Sequence, residues 1–68
     1  MNELTLKDAV MATHMLTANA AEQLYKLLGD VYDQKQLKMT EGAVKLARNA
    51  LGELLKELKK QRIPRNKT

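Results

Sequence analysis

The chain contains no cysteine, no tryptophan and no phenylalanine. Disulfide staples, a cysteine-ligated zinc site and a bulky aromatic core are therefore excluded. Proline occurs once, at Pro64, and glycine three times, at Gly29, Gly42 and Gly52, so turn signals are sparse. The three glycines form neither a G-x-G-x-x-G nor a P-loop pattern, which removes the usual phosphate cradles. Long hydrophobic runs are missing as well. The longest uncharged stretch, 13 residues from Ala9 to Ala21, is too short to span a bilayer and is interrupted by Thr13, His14, Thr17 and Asn19. The opening Met1, Asn2, Glu3 has none of the basic, apolar and cleavage features of a secretory signal, so a cytoplasmic location without membrane contact is expected.

What is present favours helix. The hydrophobic 44% of the chain comes almost wholly from Leu, Ala, Met and Val, and two Tyr supply all the aromatic character. Apolar residues recur with helical spacing from Leu4 onward, placing Leu6, Val10, Thr17, Ala20, Ala21, Leu24, Leu27, Leu28 and Val31 on one broad face. Asp8, Asn19, Glu22, Lys26, Asp30 and Asp33 lie opposite. This predicts a first helix over about residues 5–35, N-capped by Thr5 and running through Gly29 because Val31 and Tyr32 stay in register. A second helix is expected over about residues 40–62, capped by Thr40, with Val44, Ala47, Leu51, Leu54, Leu55 and Leu58 as its apolar face. The connection then falls at Gln34 to Met39. Pro64 disfavours helix at Ile63, leaving residues 64–68 as a basic flexible tail beyond a hairpin of residues 1–63.

Two amphipathic helices on a short connection form an antiparallel αα-hairpin. In heptad terms Val10, Thr17, Leu24 and Val31 occupy a positions and Leu6, Thr13, Ala20 and Leu27 d positions. In the second helix Val44, Leu51 and Leu58 are a, and Ala47 and Leu54 are d. Ala21, Leu28 and Leu55 widen the stripe beyond what one facing helix covers. At 68 residues, the burial available to a lone hairpin barely offsets the entropy of ordering it. The fold class expected is thus all-α, a two-helix hairpin dimerising into a four-helix bundle, with Leu6, Val10, Leu24, Leu28, Val31, Val44, Leu51, Leu54, Leu55 and Leu58 as its core and dimer residues. In length and hairpin layout alone the chain resembles the Rop-type hairpins, whose pairs form such bundles. No functional motif accompanies that resemblance.

No catalytic set is visible, and no cofactor or metal is expected. Asp30 and Asp33, like Glu53 and Glu57, stand one turn apart but on polar faces, where water leaves a carboxylate's acidity ordinary. His14, the single histidine, has Val10, Met11, Thr17 and Ala18 at helical contact spacing, none of them a metal ligand of the kind a His site needs. More informative are apolar residues off the main stripe. Met11 and Met15, with Ala12, Leu16 and Ala18, make the segment Ala9 to Ala21 apolar nearly all round. Methionine adapts to irregular partners, so this collar, with His14 at its border and Tyr25 and Tyr32 at the stripe's edge, reads as a partner-binding surface.

The net charge of +4 is unevenly placed. Residues 1–55 hold six basic and seven acidic side chains, whereas residues 56–68 hold six basic ones against Glu57 alone. Lys59, Lys60, Arg62 and Arg65 could contact nucleic acid, but stacking aromatics and a helix-turn-helix spacing are missing. Basic residues at a helix C-terminus also complement its macrodipole. The leading expectation is a small non-enzymatic interaction module, a regulator or inhibitor that occludes a larger partner protein, of the scale of hairpins made by phages and plasmids. The alternatives are a nucleic-acid-binding regulator and a structural subunit or chaperone of a larger assembly.

Overall fold

The computed structural model describes residues 3–62, with side chains from Thr5 onward. Two helices, α1 (Glu3–Leu27) and α2 (Gln34–Gln61), lie against each other, and no strand occurs among the described residues. The hairpin measures 55 × 21 × 14 Å. Its smallest dimension is close to the ~10–12 Å diameter of a single helix, so the structure is one layer thick. A radius of gyration of 15.9 Å against about 11 Å for a compact domain of this length says the same.

The connection lies earlier than the apolar register predicts. α1 ends at Leu27, not near residue 35, and α2 begins at Gln34, not Thr40. Two aspartates are responsible. The last turn of α1 tightens into i→i−3 bonds, Gly29 N–H donating to Lys26 O and Asp30 N–H to Leu27 O, each at 3.1 Å. Asp30 then accepts the N–H of Tyr32 on its own carboxylate at 3.0 Å, an Asx turn that takes the chain out of helical geometry. Three residues on, Asp33 N-caps α2, its Oδ1 accepting from Lys35 N–H at 3.1 Å and Gln36 N–H at 3.2 Å. Gly29 has no positive φ and plays no special conformational part. Val31 and Tyr32 therefore belong to the turn and do not continue the α1 stripe. Thr5 likewise sits inside α1, which already runs from Glu3.

At its far end α2 stops at Gln61, where Arg62 leaves helical geometry and donates its N–H to Leu58 O at 3.0 Å. The expected tail at 64–68, including Arg65, lies outside the described residues.

Contact between the helices follows a regular alternation of three and four residues. From α1 the covered positions include Leu6, Ala9, Thr13, Leu16, Ala20, Gln23 and Leu27, and from α2 Gln36, Thr40, Ala43, Ala47, Ala50, Leu54 and Glu57; beside these rows Thr17 and Leu37 are half-buried as well. The expected d row thus enters the seam. Of the expected a row, Thr17 alone is half-buried and the rest is exposed. The buried residues among those described are Ala20, Ala43, Ala47, Thr13, Gln23 and Thr40, all of them small or polar. Thr13 tolerates this position because its hydroxyl donates to Ala9 O at 2.8 Å within its own helix.

A polar clamp closes the turn end of the seam. Gln36 Nε2 donates to Gln23 Oε1 at 2.8 Å, to Gln23 O at 3.3 Å and to Thr40 Oγ1 at 3.1 Å. The Thr40 hydroxyl donates to Gln23 O at 3.3 Å, and Gln23 Nε2 to Asn19 Oδ1 at 3.3 Å. Thr40, expected as a helix cap, is instead a buried cross-helix link.

Candidate functional site

Small and polar residues take the most buried seam positions, and many of the large apolar residues beside the seam, on the helices and in the turn, are left in water. Val10, Leu24, Leu28, Val31, Val44, Leu51, Leu55 and Leu58 are between 40% and 74% exposed. Of the ten residues expected to form the core, Leu6 and Leu54 alone are partly covered within the chain. The reason is the heptad choice: the helices meet along d and its small-residue neighbours Ala9, Ala43 and Ala50, which leaves the a row on one side of the hairpin.

Seven of these eight exposed residues, all but Val10, line three shallow depressions. At the turn end Ala21, Leu24, Tyr25, Leu27, Leu28 and Val31 surround the first. In the middle Thr17, Ala21 and Leu24 of α1 face Val44, Arg48 and Leu51 of α2 across the small floor of Ala20 and Ala47. Toward the C-terminus of α2, Leu55 and Leu58 adjoin Lys59, Gln61 and Arg62. The Val44, Leu51, Leu58 heptad row carries the face from the middle to this end.

Charge is distributed asymmetrically about α2. No acidic side chain lines the three depressions, and Arg48, Lys59 and Arg62 do. A fourth, on the opposite side, is lined by Ala9, Ala12, Thr13, Ala50 and Leu54 together with Glu53 and Glu57. Glu57 departs from the sequence expectation of a fully solvated acid: its side chain is largely covered at the seam's end, accepts from Gln61 Nε2 at 3.1 Å and faces Lys60 at 4.0 Å.

The remaining ion pairs are Lys26–Glu22 at 3.7 Å, Lys45–Glu41 at 3.3 Å and Lys56–Glu53 at 3.8 Å, all local and exposed. Among the described residues, Arg48, Lys59 and Arg62 enter no ion pair. They are free cations beside apolar surface.

The residues expected to bind a partner are not brought into one site. Met11, Met15 and Tyr25 are all more than half exposed on α1, and His14 is exposed with its carbonyl accepting the Thr17 hydroxyl at 2.9 Å. Leu16 is drawn from the collar into the seam. Tyr32 sits in the turn at 81% exposure, so it does not share a helix face with Tyr25. Lys60 is taken up by Glu57, while Lys59 and Arg62 stand at the open face. Arg48 was not distinguishable in the sequence by charge alone. Its spacing of four from Val44 and three before Leu51, on the edge of the a row, is the signal that identifies it. Among the described residues no group of three or more His, Asp or Glu gathers as metal ligands, and no helix is long and apolar enough to cross a membrane.

Comparisons with protein-family models, curated proteins and solved structures give no match.

Proposed function

We propose that the protein is a non-catalytic interaction module, a regulator that works by laying its open apolar face on a larger protein and occluding it. Between such encounters, two copies close this face on each other as a four-helix bundle. The observation that carries the reading is the set of large apolar side chains left uncovered beside a seam whose most buried residues are alanine, threonine and glutamine. Covering the eight large side chains removes on the order of 600 Å² of apolar surface, worth ~15 kcal/mol at ~25 cal/mol/Å² before association costs. That is close to the ~800 Å² a partner gives to a standard interface. A surface of this extent is seldom left to water in a soluble monomer. The a and d rows together satisfy the two-row pattern of a helix in a four-helix bundle, where d faces the hairpin mate and a faces the second layer.

Light scattering over a range of concentrations tests the reading, with Leu51→Glu as the probe. The wild-type chain is expected to be a dimer that Leu51→Glu converts to monomer, with a loss of helicity that reports how far the hairpin depends on its second layer. A wild-type chain that stays a folded monomer at every concentration would refute the bundle.

A further inference from the structure

We infer that the open face selects partners carrying an amphipathic helix whose apolar stripe is bordered by Asp and Glu; this rests on the open face being an interface, as proposed above. Two helices side by side leave a shallow trough between their outer rows, here Thr17 and Leu24 against Val44 and Leu51, and a trough along helix axes is filled by another helix with anchors at heptad spacing.

Charge then decides which helix. Arg48 lines the trough, and Lys59 and Arg62 line the depression beside Leu55 and Leu58 further along α2, none of them neutralised, while the acids of the same half of α2, Glu53 and Glu57, face the other side. An acid-bordered helix meets opposite charge at each of these positions. The homodimer is on this view a resting state that an acidic helical partner displaces, and screening by salt weakens the partner's attraction.

The test uses the full chain and two labelled synthetic helical peptides of identical Leu/Ala stripe, one flanked by Glu and one by Lys, followed by fluorescence anisotropy at low and high salt. The Glu-flanked peptide is expected to bind about tenfold tighter than the Lys-flanked one at low salt, with the margin shrinking as salt rises. Arg48→Glu, a change at an exposed residue, is expected to narrow or invert that preference. Equal binding of the two peptides, a preference for Lys, or a preference unmoved by Arg48→Glu each overturns the inference. So does displacement of the Glu-flanked peptide by a DNA or RNA duplex, which assigns the basic border to phosphates. If neither peptide binds while Leu51→Glu still dissolves the dimer, this inference alone falls; if neither binds and Leu51→Glu changes nothing, the interface reading falls with it.

Discussion

The clamp formed by Gln23, Gln36 and Thr40 yields a prediction whose size follows from its bonds. Thr40 is 5% exposed and its hydroxyl makes two of them, accepting from Gln36 Nε2 at 3.1 Å and donating to Gln23 O at 3.3 Å. Valine has nearly the same shape, so Thr40→Val removes those bonds without opening a cavity. At about 0.5–1.5 kcal/mol net per bond, and with one bond long, the expected loss is ~1–2 kcal/mol. Gln36→Leu strips the 2.8 Å partner from Gln23 Oε1 as well, leaving a half-desolvated acceptor, and is expected to cost ~1–3 kcal/mol. The double variant should cost less than the sum, because the Gln36–Thr40 bond is lost once rather than twice; the coupling is expected at ~0.5–1.5 kcal/mol. Urea and thermal melts followed by circular dichroism read all three, at one fixed protein concentration because association is linked to stability. At ~4–8 °C per kcal/mol the single variants are well resolved. Thr17→Val is the control: its hydroxyl bonds only Thr13 O and His14 O within its own helix, so the change should be neutral or stabilising. Strict additivity, or a neutral Thr40→Val, would show that the clamp does not hold the helices together.

Asp33→Ala removes the cap of α2 and is expected to cost ~0.5–2 kcal/mol, with Asp33→Asn retaining most of the stability, as read by thermal melts. Gly52→Ala should raise the melting temperature, since a Cβ at that position meets nothing within 4 Å and the residue lies in the interior of α2, where Ala is favoured over Gly by ~0.5–1 kcal/mol. The double change Met11→Glu, Met15→Glu falls on exposed side chains of α1 and is expected to shift stability by no more than about 0.5 kcal/mol, so a large loss by circular dichroism would mean that the collar is covered in the assembled protein.

The parts of this fold that were legible in the sequence are those set by periodicity. Two helices, their amphipathic character and the entry of Leu6, Thr13, Ala20, Leu27, Ala47 and Leu54 into the seam all follow from heptad spacing. The connection was not legible because the apolar register of Val31 and Tyr32 runs straight through it. What ends α1 is side-chain hydrogen bonding by Asp30 and Asp33, a local competition with the helix that hydrophobic spacing does not register. The choice between seam and open face was hidden for a related reason. Hydrophobicity argues that Val and Leu are buried first, yet Gln23, Gln36 and Thr40 satisfy one another only if the small-residue row is the one enclosed. Burial of this polar network fixes which row meets which, and Val10, Leu24, Val44, Leu51 and Leu58 are left to the outer surface.

Adjacent alanines separate these two surfaces in a single comparison. Ala20 is 6% exposed in the seam opposite Ala43 and Ala47, whereas Ala21 is exposed and shares the two depressions of the open face with Leu24. Leucine at position 20 adds three heavy atoms where alanines face alanines. The helices must separate, which also stretches the Gln23–Gln36 bond of 2.8 Å one turn away. Overpacking of this kind costs ~1–3 kcal/mol, and here the loss of clamp bonds adds to it. Leucine at position 21 enters open space, fills the trough beside Leu24 and leaves the seam untouched, so the hairpin itself should not be weakened. Its effect is reserved for association, where a fuller trough changes how the second layer seats. Circular dichroism melts of Ala20→Leu and Ala21→Leu at low concentration report the hairpin, and light scattering at high concentration reports the face. A tolerated Ala20→Leu together with a damaging Ala21→Leu would reverse the assignment and make the Val10, Leu24, Leu51 row the intrachain core. The expected order, damage at 20 and tolerance at 21, holds only if the helices close on their small residues and keep their large ones for another chain.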